Sequence, residues 1–333
     1  MPMRSPCIAV SRRDAERVRQ QLIERGVLRT DLDIQSDDRY VYLPVSAPVD
    51  IPGGTIQHRD FEKREQPPGL QDLLAELLPP DVSLSSFDVI GDIAIVRIPD
   101  EALPHRTAIG DAILATHSSI NVVCRDRGVK DEYRVRDVEV IAGEQRTETI
   151  HVEYGTEIAV DVARVYFSPR LATERKRVAD QVEPGDVVVD MFAGAAPFSL
   201  LIARLAQPSK VYAVDINDTA VSYARRNVQR NNVADVVEVI HGDAAEVVPR
   251  LGRADHVIMN LPHRADDFYP MATRTGCIVH YYDIVDGDRV DERLDWLVET
   301  AAGEGKTASI RRWRQVGTYS PVQIKIGVDV AIS

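Results

Sequence analysis

Val187-Val188-Val189-Asp190-Met191-Phe192-Ala193-Gly194-Ala195-Ala196-Pro197-Phe198 decides how this chain is read. Three β-branched apolar residues predict a buried strand. An acid ends it, small residues turn the chain, and a helix-forming segment follows. Small residues let backbone approach a ligand, and a helix N-terminus offers free N–H groups. The G-x-G-x-x-G spacing of a nicotinamide-binding turn is absent. An ordinary strand–turn–helix is the competing reading.

Downstream, the same alternation repeats. Strands are expected at Val187–Asp190, Lys210–Asp215, Val236–His241, His256–Met259 and Gly276–Tyr282, with helices at Pro197–Ala206, Asn217–Asn231 and Arg289–Ala302. Such alternation implies a parallel sheet wound on both faces. Thr307–Arg312 and Val322–Val330 close the sequence as two strands with no long helix between them, so one runs antiparallel. That suits the methyltransferase variant of the doubly wound fold better than a dehydrogenase.

Upstream, Ser11–Gly26 reads as a helix capped by Ser11, followed by short strands near 27–34 and 40–45. Pro48, Pro52, Gly53, Gly54, the charged run 60–65 and Pro67-Pro68-Gly69 read as a linker. Segments from about residue 70 to 154 mix helical and strand patterns, including helices at 71–78 and 102–116 and strands about Gly91. Three domains are therefore expected: a small N-terminal one over 1–60, an α+β one over 66–156 and a doubly wound one over 157–333.

At 333 residues the chain can bury one large core or two to three smaller ones. No stretch is apolar for long enough to span a membrane and no signal-peptide core is present, so a cytoplasmic protein is expected. Cys7, Cys124 and Cys277 are scattered, with no C-x-x-C pair, so neither a disulfide framework nor a metal site is expected. A net charge of -12 alone argues against a nucleic-acid partner. Local patches argue otherwise: Arg170, Arg175, Lys176 and Arg177 cluster, and Arg311-Arg312-Trp313-Arg314 sets an aromatic among cations. Acid excess with few lysines fits adaptation to high salt, or a simply acidic enzyme.

Acids and amides end the predicted strands, where doubly wound folds place their chemistry. Asp215 can accept both ribose hydroxyls of a nucleoside, or serve the start of the next helix. Asp243 can accept from an adenine amino group, or cap a short helix. Asn260-Leu261-Pro262-His263 offers an amide and a rigid carbonyl to a planar, amide-like edge such as a nucleobase. Arg170, Glu174 and Arg175 share a face if a helix begins after Pro169. Cations beside a carboxylate can hold phosphates while the carboxylate takes a proton. On spacing alone a plain i,i+4 ion pair between Arg170 and Glu174 is the stronger reading.

The D-x-F-x-G-x-x-P-F pattern from Asp190 to Phe198 resembles a loop that holds S-adenosylmethionine. Together with Asp131-Glu132-Tyr133-Arg134, the Tyr166–Arg175 block and Asn260-Leu261-Pro262, it resembles the archaeal and eukaryotic tRNA (guanine-N1)-methyltransferases. The four blocks share that family's order and spacing, over residues 70 to 333 and plausibly the N-terminal domain. The resemblance implies an α/β protein whose C-terminal domain is a class I methyltransferase fold, preceded by an α+β domain and a small N-terminal α/β domain. It implies methyl transfer from S-adenosylmethionine to N1 of guanosine at tRNA position 37, by a monomer without a metal.

By resemblance, Glu174 is the general base, Arg134 binds guanine O6 and Asn260 holds the base edge. Arg170 and Arg175 support the catalytic loop or nearby phosphates, and Pro262 contacts substrate. Tyr166, Asp190, Phe192, Ala193, Gly194, Pro197, Asp215, Ile216, Asp243, Ala244 and Asn260 form the cofactor site. The N-terminal domain would check tRNA shape. One departure is Ala196, where the family has glycine; alanine resists positive φ, so an altered loop is expected there. The rivals are wyosine-pathway transferases acting on a modified guanosine 37, a tRNA-binding module without chemistry, and a nicotinamide oxidoreductase.

Overall fold

The computed structural model describes residues 2–64, 68–84, 86–129 and 135–333. The chain divides into two compact units, Met1–Asp72 and Leu73–Ser333.

In the first unit Met3–Ser11 lies between Tyr40–Pro44 and Gly54–Phe61 in an antiparallel sheet, with Gln35–Ser36 beyond. Helix Ala15–Glu24 packs Val18 and Leu22 onto Ile8, Val10, Leu43 and Val45. Two expectations need correcting. The helix starts at Ala15, because residues up to Ser11 form a strand whose core residues Cys7 to Val10 run continuously. The Ser11 hydroxyl donates to the Asp14 carboxylate at 2.8 Å. The supposed linker contains a strand. Gly54–Phe61 escapes a pattern search because only Phe61 on it is buried, as on a half-solvated edge strand. Gly54 fits by lacking a Cβ, which would stand 2.4 Å from Ile8.

In the second unit a four-stranded sheet comes first, in the order Asp88–Ile90, Ile93–Val96, Val122–Val129, Arg136–Gly143. Helix Arg106–Thr116 lies against it, with Gly110 so close to Ala142 that a Cβ would meet it at 2.6 Å. The hairpin Glu148–Glu153 with Thr156–Asp161 follows.

Next come helix α1 (Ala172–Ala179), strand β1 (Val187–Asp190), helix α2 (Pro197–Leu205), β2 (Lys210–Asp215), α3 (Asp218–Arg230), β3 (Val237–His241) and β4 (Ala254–Met259). Helix α4 (Ala265–Thr275), β5 (Gly276–Asp286), α5 (Val290–Gly303), β6 (Ala308–Thr318) and β7 (Gln323–Ile332) complete it. The sheet order is β3-β2-β1-β4-β5-β7-β6. The first five strands are parallel, and β7 runs antiparallel between β5 and β6.

Strand residues alternate between two cores, as a pleated sheet requires. Val188, Ala213, Ile258 and Tyr282 face α1, α2 and α3, with Val178, Leu201 and Ala224. Val189, Met259, Val279 and Tyr281 face α4 and α5, with Tyr269 and Leu297. Sheet strands and crossover helices follow the sequence expectation closely. Helix α4 is the exception: Pro270 interrupts its pattern, yet the helix holds, with the Thr273 hydroxyl donating to the Pro270 carbonyl at 2.8 Å.

Candidate active site

The loop after β1 is built from backbone. Gly194 has φ +58 and Ala196 φ +67, both left-handed. The loop thus keeps its turn despite the alanine, and the expectation of an altered loop is corrected. Ala196 is fully buried, so the Cβ that strains its backbone also fills core space. The Ala196 N–H donates to Ala193 at 2.8 Å, and Ala193 donates to Val214 at 2.9 Å. From α3, the Asn227 side chain donates to the Ala195 and Ala159 carbonyls, both at 3.0 Å, and accepts from Ala159 N–H. One buried amide thereby ties the loop to the preceding hairpin. No sequence pattern singled out Asn227.

Asp190 is buried under the loop. Its Oδ2 accepts from the Ser199 hydroxyl at 2.8 Å, while Oδ1 has no partner among the described residues. Burial pushes this carboxyl up to about 7, against the Ser199 bond and with help from the Asp215 charge. Such a group braces the loop rather than lining an open cradle.

Asp215 ends β2 beside it, accepting from Gly194 N–H at 2.6 Å and Asn217 N–H at 2.8 Å. Asn217, not Asp215, caps α3, accepting from Thr219 at 3.0 Å. Burial raises the Asp215 carboxyl, opposed by the Asn217 and Gly194 N–H groups. Each oxygen keeps a lone pair for a hydroxyl. Ile216 next to it is half exposed. At the end of β3, Asp243 caps the four-residue helix Ala244–Val247 by accepting from Ala245 at 2.8 Å, and Ala244 is buried.

Phe192 meets Phe268 edge-on at 5.0 Å. Pro197 starts α2. Tyr166 is partly exposed, and its carbonyl would lie 3.7 Å from a Cβ at Gly194. The bare Gly194 backbone, the strand-end acid Asp215 and the exposed apolar Ile216 make a cradle suited to a nucleoside-bearing cofactor.

The other part of the site centres on Glu174 in α1, only 2 % exposed. Its Oε1 accepts from the Tyr282 hydroxyl at 2.8 Å and from Arg177 Nη2 at 2.7 Å. Arg177 Nε lies 3.1 Å from both carboxylate oxygens. Arg314 Nε approaches Oε2 at 3.4 Å. Gly327 makes room: a Cβ there would stand 3.2 Å from Oε1 and 3.0 Å from Tyr282. Lys325 Nζ lies 5.7 Å from the centre of the Tyr282 ring and donates to Asn260 Oδ1 at 3.0 Å. Tyr282 and Lys325 therefore link Glu174 to Asn260, and sequence reading gave neither a role in the site. Leu261 and Pro262 continue the β4 loop, half-buried, and His263 meets Tyr319 at 5.5 Å.

The arginines divide differently from expectation. Arg170 pairs with Asp88 at 2.8 Å, not with Glu174, because the chain forms a 3-10 turn at Pro169–Leu171 before α1 begins. Arg175 is 1 % exposed, pairs with Glu153 and donates to the Ser168 carbonyl at 3.0 Å. Phe167 and Phe198 flank its guanidinium. Of the two roles expected for Arg175, this burial suits loop support and not phosphate contact. Arg134 lies outside the described residues. A cavity lined by Asp186, Asp255, His256 and Cys277 opens at the other end of the strands and holds none of these site residues.

Comparison with known proteins fits this geometry. Trm5b of Pyrococcus abyssi, a tRNA (guanine(37)-N(1))-methyltransferase, is 37% identical over 98% of both chains. This chain belongs to that family. The TRM5/TYW2 methyltransferase domain profile matches residues 149–308, the TYW2 N-terminal domain profile residues 70–147 and the tRNA methyltransferase 5 N-terminal domain profile residues 7–52. The fold is accordingly that of the family, with the class I methyltransferase sheet at its C-terminal end.

Among solved structures, Trm5b from Pyrococcus abyssi superposes with a TM-score of 0.78 at 36% identity, covering 99% of each chain. A complex of aTrm5 with tRNALeu superposes at 0.75 and 31% identity, covering 98% and 99%. TYW2 of P. horikoshii, solved with MeSAdo, is more distant, at 26% identity over 78% of this chain and 93% of its own, with a TM-score of 0.67. The wyosine-pathway reading is thus the weaker one. No helix among the described residues is long and apolar enough to cross a membrane.

Proposed function

We propose that this chain, as a tRNA (guanine(37)-N(1))-methyltransferase, uses Glu174 to take the N1 proton of guanosine 37 in tRNA. The observation that carries this is the pairing of a buried carboxylate, Glu174, with Asn260 through Tyr282 and Lys325. A carboxylate and an amide are thereby linked through two intervening side chains near the carboxyl ends of the parallel strands.

Guanine N1 is a poor nucleophile while protonated. Removing the proton puts charge on O6, so a base on one side and cations on the other lower the barrier. Asn260 offers a donor pair and an acceptor to the base edge. Pro262 stiffens the loop that carries it. When bound, S-adenosylmethionine supplies the methyl electrophile. Gly194 would hold it through bare backbone, Asp215 through its ribose hydroxyls and Ile216 through apolar contact with adenine. Arg170, exposed beside Asp88, is a candidate contact for tRNA phosphates. The cytoplasmic location, the monomeric state and a tRNA-shape role for the first unit belong to the same proposal.

The test is methyl transfer from labelled S-adenosylmethionine to tRNA transcripts with guanosine or adenosine at position 37. Label at N1 of the guanosine transcript alone, falling roughly 10²- to 10⁴-fold in Glu174→Gln, is the expected result. Undiminished transfer by Glu174→Gln would remove Glu174 from the mechanism. Transfer only to an already modified guanosine would favour the wyosine reading.

A further inference from the structure

Behind Glu174 runs a buried polar chain that the chemistry above leaves unused. Arg177 binds Glu174 with one side of its guanidinium and Asp329 of β7 with the other, Nη2 reaching Asp329 Oδ1 at 2.9 Å. Asp329 also accepts from His280 Nδ1 at 2.7 Å and from Gln181 at 3.2 Å. His280 Nε2 meets His256 Nδ1 at 3.0 Å with the two rings nearly parallel, and His256 approaches Asp186 at 3.3 Å. Asp329, His280 and His256 are all at most 3 % exposed.

The two oxygens of Glu174 differ. Oε1 is anchored by Tyr282 and Arg177. Oε2 has the looser set, Arg177 Nε at 3.1 Å and the partly exposed Arg314 at 3.4 Å. A carboxylate surrounded only by donors is a weak base. Arg177 stays compatible with base chemistry because Asp329 shares its charge and fixes its plane.

We propose that Asp329, acting through Arg177, is a positioning residue for Glu174, holding Oε1 fixed so that Oε2 can accept the proton. This rests on Glu174 being the base. Arg314 is then the partner that yields Oε2 to guanine. The groups facing Glu174 are Arg177 on its own helix, Tyr282 on β5, Arg314 on β6, and Asp329 on β7 behind Arg177; Lys325 on β7 and His280 on β5 sit one contact further out. Removing the Asp329 charge leaves Arg177 acting on Glu174 alone, which lowers its proton affinity. Removing the Arg177 charge raises it. A residue that merely fills space does neither.

The experiment is the pH dependence of single-turnover methyl transfer for wild type, Asp329→Asn, Arg177→Gln and the double variant, with Glu174→Gln as reference. The acid limb should move to lower pH in Asp329→Asn and to higher pH in Arg177→Gln, with KM for tRNA within about twofold and kcat down about tenfold or more. The double variant removes both members of the Arg177–Asp329 ion pair, and so avoids the unpaired charge that either single variant leaves there. Because Arg177 touches Glu174 and Asp329 stands behind it, the limb of the double variant should lie between those of wild type and Arg177→Gln, with kcat still reduced. Limbs that do not move in a folded single variant, or wild-type kcat in the double variant, overturn the inference. An acid limb that survives in Glu174→Gln overturns the base assignment, and the inference with it.

Discussion

Tyr282 donates to Glu174 at 2.8 Å across 108 residues of sequence, joining β5 to α1 at the heart of the site. Both are buried, and burial together with the Glu174 charge and hydrogen bond holds the phenol well above its ordinary pKa. The hydroxyl therefore stays a donor at any physiological pH.

Tyr282→Phe removes that donor and keeps the ring. Hydrogen bonds to charged groups contribute roughly 1.5–3 kcal/mol, so denaturant unfolding should show a loss in that range. Affinity for tRNA should stay unchanged, because the hydroxyl faces inward. A loss below about 0.5 kcal/mol would mean the bond contributes little.

Ala196→Gly tests the loop. Relief of a left-handed alanine gains roughly 1 kcal/mol, and losing a buried methyl costs roughly 0.8 kcal/mol. The two nearly cancel, so stability should change by less than about 0.5 kcal/mol. Ala195→Gly, equally buried but without positive φ, has no such relief and should cost about 1–2 kcal/mol. Equal losses at the two positions would contradict the left-handed assignment.

Gly194→Ala places a side chain where φ is +58. The new Cβ would meet Tyr166 at an ordinary 3.7 Å. Backbone strain of roughly 1–2 kcal/mol, and not a clash, is then the cost. If the loop relaxes to escape it, calorimetry should show S-adenosylhomocysteine bound roughly 5- to 30-fold more weakly. Unchanged affinity together with unchanged stability would refute this.

Asp190 gives stability a pH dependence. Its folded pKa, about 7, lies above its unfolded value of 3.8. The folded state therefore prefers the protonated form. The stabilisation is complete below about 3.8 and is lost as pH rises through about 7. Asp190→Asn has no such titration. The stability of the variant relative to wild type should thus rise between pH 4 and 8, by at most about 4 kcal/mol. Parallel stability curves for the two proteins would show that Asp190 does not titrate in this window.

The sheet was legible because its strands are short apolar runs ending in acids or amides and alternating with helical patterns, as buried parallel strands do. Asp190, Asp215, Asp243 and Asn260 could be placed at strand ends for that reason. Partner choice was not legible. Spacing suggested that Glu174 pairs with Arg170, but a 3-10 turn breaks the helical register between them. Glu174 binds Arg177, Tyr282 and Arg314 instead, two of which come from strands more than a hundred residues away. Gly54–Phe61 was hidden for the opposite reason: an edge strand with one buried residue carries almost no periodic signal. Asn227 shows a third limit. A buried amide that bridges two carbonyls looks, in sequence, like any polar residue on a helix.

β7 is threaded between β5 and β6, and Asp329 follows Arg177 by 152 residues. During synthesis the loop after β1, Glu174 and Asn260 therefore all leave the ribosome before Asp329, the acid proposed to steady Glu174. A growing chain that lacks β7 also leaves β5 with an open edge. The proposed support for Glu174 and the protection of that edge arrive with the same strand, so the unfinished polypeptide lacks both and is exposed to wrong pairing.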